Sequence, residues 1–126
     1  MTDSAREYAR EKIAKKDFTC AKEYTLSMFS GKYKIVILYH LAHDGTMRFN
    51  EIKRHLDNAS HKMLTQQLRE MADDKLISRR EESIHNGKAV YYSLTDTGTS
   101  LIPIVDDMFS WGKNRLAELE VDSNFR

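Results

Sequence analysis

The chain has 126 residues, of which 40% are hydrophobic and 31% charged. This length and balance fit one globular domain and exclude a disordered protein. No apolar run approaches the roughly 18 residues that a membrane-spanning helix requires, and the charged first residues lack the apolar core of a secretory leader. A single cysteine excludes an internal disulfide framework. These features predict a cytoplasmic protein with no membrane partner.

The charge is distributed unevenly, although the formal net charge is only +1. The first 34 residues carry a net charge of +3, and residues 95 to 126 carry −3. The strongly basic balance of many DNA-binding proteins is absent. The pattern therefore allows a DNA-facing side near the front and middle of the chain without requiring one.

The first third of the chain predicts two helices and one ambiguous segment. A charged helix is expected to about residue 16, and a second is expected from about residue 20 to residue 30, with Gly31 as its C-terminal stop. Residues 32 to 42 fit both the alternation of a strand and the three-to-four spacing of a helix. The residues alone leave that choice open.

Residues 49 to 71 predict two short amphipathic helices joined by a tight polar turn. In the second of them, Leu64, Leu68 and Met71 share one face. The opposite face carries hydrogen-bond donors and positive charge from Lys62, Thr65, Gln66 and Arg69, flanked by His61. A helix that is anchored by one face and exposes such side chains on the other suits the major groove of DNA.

A β-hairpin is predicted directly after this helix pair. Residues 76 to 84 and 89 to 94 indicate its strands, and His85-Asn86-Gly87-Lys88 indicates its turn. Helix, turn, helix and hairpin in this order make a winged helix. The wing side chains that could reach a phosphate or a minor groove are Arg79, Arg80, His85, Asn86 and Lys88.

The last predicted helix runs from residue 95 to about residue 119. Its apolar face is too wide for one small core, and such a face on a terminal helix is typical of a partner surface. Pro103 predicts a kink or a fresh helix start, because proline removes a backbone donor and disfavours helix at the residue before it.

The ordered blocks GKYKIVIL, MRFNEIKRHL, SHKMLTQQLREM, KLISR, VYYSLTDTG, LIPIVDDM and WG closely resemble the HxlR-type winged-helix transcriptional regulators of bacteria, relatives of the MarR-type regulators. The resemblance implies an α+β, mostly α fold, a winged helix-turn-helix with extra N- and C-terminal dimerisation helices. It implies that residues 32 to 42 form a helix. It also places an N-terminal helical extension at 1–18, the winged-helix domain at 19–120 and a C-terminal tail at 121–126.

The resemblance implies a homodimer that binds a pseudo-palindromic double-stranded DNA operator, with repression as the expected outcome. The recognition-helix residues expected to contact DNA are Ser60, His61, Lys62, Thr65, Gln66 and Arg69. Residues expected at the dimer interface, from the two terminal helices, are Tyr8, Ile13, Leu101, Val105, Met108, Phe109, Trp111 and Leu116. The alternative function is a winged-helix module that binds another protein and no operator.

Cys20 has two interpretations. A predicted helix N-terminus, with Lys16 and Lys22 nearby in sequence, favours the reactive thiolate and a sensor of oxidants or electrophiles. The other interpretation is a small residue that fills space. A small-molecule or oxidant signal is therefore one expected partner of the chain.

No enzyme, cofactor or metal site is predicted. The sequence lacks a glycine-rich phosphate loop, a nucleophile motif and paired metal-ligand spacing. His40 and His43 share a helical face, but no carboxylate or thiol is expected to converge on them from the sequence, and structural zinc sites require four ligands.

Overall fold

A computed structural model describes residues 3–16 and 18–120 of the chain. Its fold is α+β and mostly α, as predicted, and the predicted tail at 121–126 lies outside the described residues. No helix in the described part of the chain is long and apolar enough to cross a bilayer. The elements in chain order are α1 (Asp3–Lys16), α2 (Ala21–Ser27), α3 (Lys34–Asp44), β1 (Met47–Arg48), α4 (Phe49–His55), α5 (His61–Asp73), β2 (Ile77–Ile84), β3 (Gly87–Leu94) and α6 (Asp96–Glu118).

The chain divides into two compact units, with the division after Ser30. The first unit contains α1 and α2, where the Lys12 ammonium lies 5.8 Å from the centre of the Tyr24 ring. The second unit contains α3 to α6 and the strands, and it holds the helix-turn-helix and the wing. The predicted boundary between residues 18 and 19 stays a prediction.

The second unit is built around one hydrophobic core beneath a small antiparallel sheet. The strand order is β1-β3-β2, with Met47 opposite Tyr92 and Ile77 opposite Leu94. The helices and the wing base all contribute to the core, because each has one apolar face that must leave water. The largest fully buried side chains are Ile37, Leu38, Leu64, Leu68, Met71, Leu76, Ile77 and Val105.

The resemblance implied a helix over residues 32 to 42, and the structure confirms a helix here that begins two residues later and runs from 34 to 44. Ile37, Leu38 and Leu41 are buried, at the spacing of one helical face. The helix ends at Asp44, and Gly45 has a φ of 86°, which favours glycine.

Helix α2 ends three residues earlier than predicted. It stops at Ser27, where the Met28 and Phe29 amides donate to the carbonyl oxygens of Thr25 and Leu26 at 3.0 Å. These bonds to the third preceding residue tighten the chain into a turn, so the helix ends before it reaches Gly31.

The wing turn is shorter than predicted. His85 and Asn86 alone connect the strands, because Ile84 pairs with Gly87 and Lys88 already belongs to β3. Gly87 has a φ of 141° at the start of the returning strand, a backbone conformation that residues with a Cβ rarely adopt.

Helix α6 is continuous through Pro103, so the predicted fresh helix start is wrong and the kink stays a prediction. The proline removes only the amide that would bond to the carbonyl of Thr99, and both residues are exposed, so water can satisfy that carbonyl. Buried Gly98 and Val105 fix the helix on either side of this point.

Candidate nucleic-acid interface

The turn between α4 and α5 fixes the direction of the second helix. Leu56 and Ala59 are buried at its two ends, and Asp57 and Asn58 are exposed between them. The Ser60 hydroxyl then caps α5 by accepting a hydrogen bond from the Met63 amide at 3.0 Å. This cap satisfies one of the unpaired amides at a helix start.

Helix α5 has one buried face and one exposed face, as its sequence predicts. Leu64, Leu68 and Met71 are at most 1% exposed, so this face is fixed in the core. Among the residues predicted to contact DNA, Thr65 is half-buried and the others are exposed; the exposed ones are Ser60, His61, Lys62, Gln66 and Arg69.

Two polar contacts hold α5 against the start of α3, and neither was predicted from the sequence. The buried Gln67 side chain accepts a hydrogen bond from the Tyr33 amide at 2.9 Å. The Lys34 ammonium, which is 3% exposed, lies 2.7 Å from a carboxylate oxygen of Glu70. A buried cation thus sits against the one carboxylate that borders the exposed face. In the sequence, Gln67 and Lys34 look like ordinary surface positions of a helix.

Lys62, Gln66 and Arg69 follow one another along the exposed face at helical spacing. Seven residues of helix rise by about 10 Å, which is roughly three base-pair steps and fits a major groove about 12 Å wide. Within residues 3–16 and 18–120, neither Lys62 nor Arg69 pairs with a carboxylate. The Gln66 side-chain amide lies a long 3.4 Å from a carboxylate oxygen of Glu70. Lys62 and Arg69 can therefore turn toward a ligand without breaking an ion pair, and Gln66 gives up only its long contact.

Thr65 and His61 are more constrained than their neighbours. The Thr65 hydroxyl donates to the His61 carbonyl oxygen at 2.8 Å, so its oxygen remains available as an acceptor and its methyl group as an apolar contact. The His61 ring packs on Phe49 of α4 with the ring centres 4.6 Å apart. His61 therefore helps to position the start of α5 as well as lying on its exposed face.

The cationic side chains of the wing are all paired with acids on β2. Arg79 lies 2.8 Å and Lys88 3.7 Å from the Glu81 carboxylate, and Arg80 pairs with Glu82. The hydrogen bond from Arg79 holds the pKa of Glu81 below its ordinary value and raises the pKa of Arg79. The wing thus presents less net positive charge than its arginines indicate, and its tip is exposed His85 and Asn86.

Arg48 is a candidate contact residue that the sequence reading missed. It lies opposite Tyr91 in the sheet, and its guanidinium is 5.7 Å from the ring centre, while Arg80 lies 4.7 Å from the same ring. Tyr91 therefore holds two exposed arginines from β1 and β2 on one face of the wing. The pairing of β1 with β3 creates this group, and no local sequence pattern reports it.

The predicted dimer residues separate into buried and exposed groups. Val105 was predicted at the interface but is 1% exposed within one chain, so it can give a partner no contact area. Phe109 stacks on Tyr39 with ring centres 5.2 Å apart. The apolar face of α6 is wide because one part packs on α3. The other part is an exposed stripe of Ile104, Met108, Trp111 and Leu119.

The other predicted interface residues stay predictions. Leu101 and Leu116 on α6 are half-buried, as is Tyr8 on α1, whereas Ile13 is 46% exposed. These exposures leave some surface on each residue for a partner.

Cys20 lies where the sequence placed it, at the N-terminus of a helix. It is the residue immediately before α2, its backbone is extended, and its side chain is exposed. An exposed thiol at this position is accessible to an oxidant.

The expectation that no carboxylate converges on the histidines is wrong. Asp44 lies 3.0 Å from His40 on the same helix, and Asp106 of α6 lies 2.9 Å from His43. Asp44 is one turn after His40, so that contact was visible in the sequence spacing, whereas the second requires α3 and α6 to pack together.

Comparison with known families gives the same architecture. The family model for HxlR-like helix-turn-helix proteins matches residues 28–120. The regulatory protein MalR of Fusobacterium mortiferum is 48% identical over 99 residues, which cover 79% of this chain and 92% of MalR. The HTH-type transcriptional regulator YdzF of Bacillus subtilis strain 168 is 50% identical over 90 residues, which cover 71% of this chain and 82% of YdzF.

A solved structure with a similar fold is the redox regulator HypR. Its reduced form has a TM-score of 0.74 and 39% identity, with 80% of this chain and 98% of HypR covered. Its oxidised form has a TM-score of 0.70 and 40% identity, with 75% of this chain and 96% of HypR covered.

Proposed function

This chain belongs to the HxlR-like helix-turn-helix family of transcriptional regulators, and we propose that it acts as a homodimeric repressor on a pseudo-palindromic DNA operator. In this proposal, each subunit places α5 in a major groove. The two grooves are about 34 Å, or one helical turn, apart. The wing supports the contact from the adjacent backbone.

The observation that carries the proposal is the division of α5 into a fixed face and an exposed one. Its apolar face is fixed in the core, while Lys62, Gln66 and Arg69 project from the opposite side. Arginine and lysine donate to guanine or to phosphate, and glutamine pairs with adenine. Thr65 can contact a thymine methyl group or a phosphate.

The wing helps to position the protein on DNA more than it adds positive charge to the interface. His85 and Asn86 at its tip can donate to phosphate oxygens, which fixes the register of a protein on DNA without reading sequence. Its three cations pair with Glu81 and Glu82, which offset two of the three positive charges. We therefore assign most of the sequence-reading contacts to α5.

Arg69→Ala tests the recognition face directly. We expect this variant to bind the operator about 1–3 kcal/mol more weakly, with relaxed specificity at one base position, if Arg69 reads a base. Fluorescence anisotropy on the intergenic DNA beside the gene measures the loss. The matched control is Lys113→Ala, which removes one exposed positive charge from α6 and should leave operator affinity near that of the wild type.

Salt dependence distinguishes operator binding from the alternative of a protein-binding module. Binding to DNA should weaken steeply as salt rises, because neutralised phosphates release counterions. Binding of another protein through the apolar stripe of α6 should change little with salt.

An Arg69→Ala variant that binds the operator as tightly as the wild type would show that the recognition-helix assignment is wrong.

Oxidation of Cys20 is the proposed signal, supported by the exposed thiol and by similarity to a redox regulator. A peroxide would oxidise the thiolate to a sulfenic acid and be reduced to water or an alcohol. The Cys20 thiol of a second subunit would then displace water and form a disulfide. The sequence contains one cysteine, so a protein–protein disulfide must join two chains.

Cys20→Ser tests this signal without altering the DNA-binding face. Peroxide should change operator affinity and produce a disulfide-linked dimer in the wild type. Reductant should reverse both changes, and the serine variant should show neither. Gel shift and non-reducing electrophoresis measure the two effects. If oxidised and reduced wild-type protein bind the operator equally, Cys20 is not the sensor.

A further inference from the structure

Two helices bring His40, Asp44 and His55 together beside a cavity. His40 and Asp44 lie one turn apart on α3, and His55 is the last residue of α4. One potential ligand atom from each of the three side chains lies within 4.8 Å of the other two. The Asp44 carboxylate is 3.0 Å from His40 Nδ1 and 3.8 Å from His55 Nε2.

The two imidazole rings pack against each other. They stack with an interplanar angle of 17° and ring centres 3.8 Å apart, and the His40 side chain is only 15% exposed. Because His40 is largely buried, its side chain loses little conformational freedom when it binds a ligand.

The donor set fits a divalent transition-metal ion. Imidazole nitrogen and carboxylate oxygen bind zinc at about 2.0–2.2 Å, which places ligand atoms in a tetrahedral site about 3.3 Å apart. Reaching this value requires the imidazole rings to turn out of their stack, because their nitrogen lone pairs lie in the ring planes and two nearly parallel rings cannot point at one ion. Calcium and magnesium are a poorer match because they select oxygen ligands.

The surroundings leave one side of this group open. All three residues line a cavity of about 610 Å³, whose other walls include Tyr39, Met108 and Phe109. Three protein ligands with a fourth position open to water or a small donor is the arrangement of zinc sites that bind ligands, whereas purely structural sites are closed by four protein ligands. The neighbouring His43 is engaged by Asp106 and is not needed as a ligand.

We propose that His40, Asp44 and His55 form a binding site for a divalent transition-metal ion, with zinc as the best match. Its open coordination position faces the cavity between α3, α4 and α6. A small apolar molecule with one oxygen, nitrogen or sulfur donor is the class of ligand that this cavity would accept. The site does not depend on operator binding, so the two proposals can fail separately.

Zinc titration of the full chain tests the site. Isothermal titration at neutral pH should show one equivalent of zinc per chain, and zinc should raise the melting temperature. His55→Ala and Asp44→Asn should each weaken binding about tenfold or more, since even changes in residues that only orient a metal ligand cost that much. His85→Ala, which removes an exposed histidine from the wing tip, should bind zinc as the wild type does.

Cobalt substitution identifies the ligands by a second measurement. The wild type with Co²⁺ should show the visible bands of a four-coordinate site and no sulfur-to-cobalt charge transfer, because Cys20 is not a proposed ligand. These bands should be absent in Asp44→Asn and His55→Ala. Circular dichroism verifies independently that both variants are folded. A wild type that binds no zinc, or binding that survives both substitutions, overturns the proposal.

Discussion

Gly98→Ala is expected to destabilise the winged-helix unit by about 3 kcal/mol or more, near the upper end of the cost of overpacking a core. A Cβ at this position would lie 2.0 Å from the carbonyl oxygen of Leu76 and 3.2 Å from the Leu94 side chain. The nearest atom belongs to the backbone at the base of the wing and cannot rotate away. Either α6 or β2 must move, and both carry core residues.

The expected loss is large because other contacts fix the same junction. The Thr95 amide donates to the Leu76 carbonyl oxygen at 3.1 Å, and the Thr95 hydroxyl accepts from the Gly98 amide at 3.0 Å. Moving α6 to accommodate a methyl group would stretch these bonds. A domain of this size has only about 5–15 kcal/mol of net stability, so urea denaturation should show a much lower midpoint.

Gly112→Ala is the matched control on the same helix. A Cβ at Gly112 would meet no atom within 4 Å in the described part of the chain. Alanine should therefore stabilise the protein by about 0.5–1 kcal/mol, because glycine is the poorer helix former. If Gly98→Ala unfolds at the wild-type urea concentration, the close approach of α6 to the wing base is wrong.

The elements whose burial is one-sided could be predicted from the sequence alone. Helix α5 has Leu64, Leu68 and Met71 in the core and cations on the other side, so its apolar residues fit the helical spacing and not the alternation of a strand. In α3, the buried Ile37 and Leu38 are followed by half-buried apolar residues such as Tyr39, which line the cavity. With apolar residues around most of that helix, the strand period fits equally well, and only the resemblance decided the assignment.

The features that could not be predicted depend on packing between separate segments. The buried Lys34 looks like a surface lysine until α5 brings Glu70 within 2.7 Å of it. The His55 side chain joins His40 only because α4 packs beside α3. Val105 looked equivalent to Met108 along a wide apolar face, and the position of α3 decides which of the two is buried. Sequence patterns show which residues of a helix must be buried, but not which residues of other elements they contact.

Trp111→Asp is expected to dissociate the proposed homodimer, and with it high-affinity binding to the full palindrome. Trp111 is 71% exposed in one chain and lies in the stripe with Ile104, Met108 and Leu119. Tryptophans at the centre of an interface commonly contribute 2 kcal/mol or more, so the dimer dissociation constant should rise about thirtyfold or more. Burial of a carboxylate against an apolar partner surface would add to this loss.

Ser110→Asp is the matched control for the added charge. Ser110 is exposed on α6 and projects away from both the stripe and the face that packs on α3. Sedimentation equilibrium should show a dimer for the wild type and Ser110→Asp, and a monomer for Trp111→Asp at the same concentration. Affinity for a half-operator should be equal in all three proteins, because α5 is unchanged. A monomeric wild type, or a Trp111→Asp variant that remains dimeric, would exclude this stripe as the dimer interface.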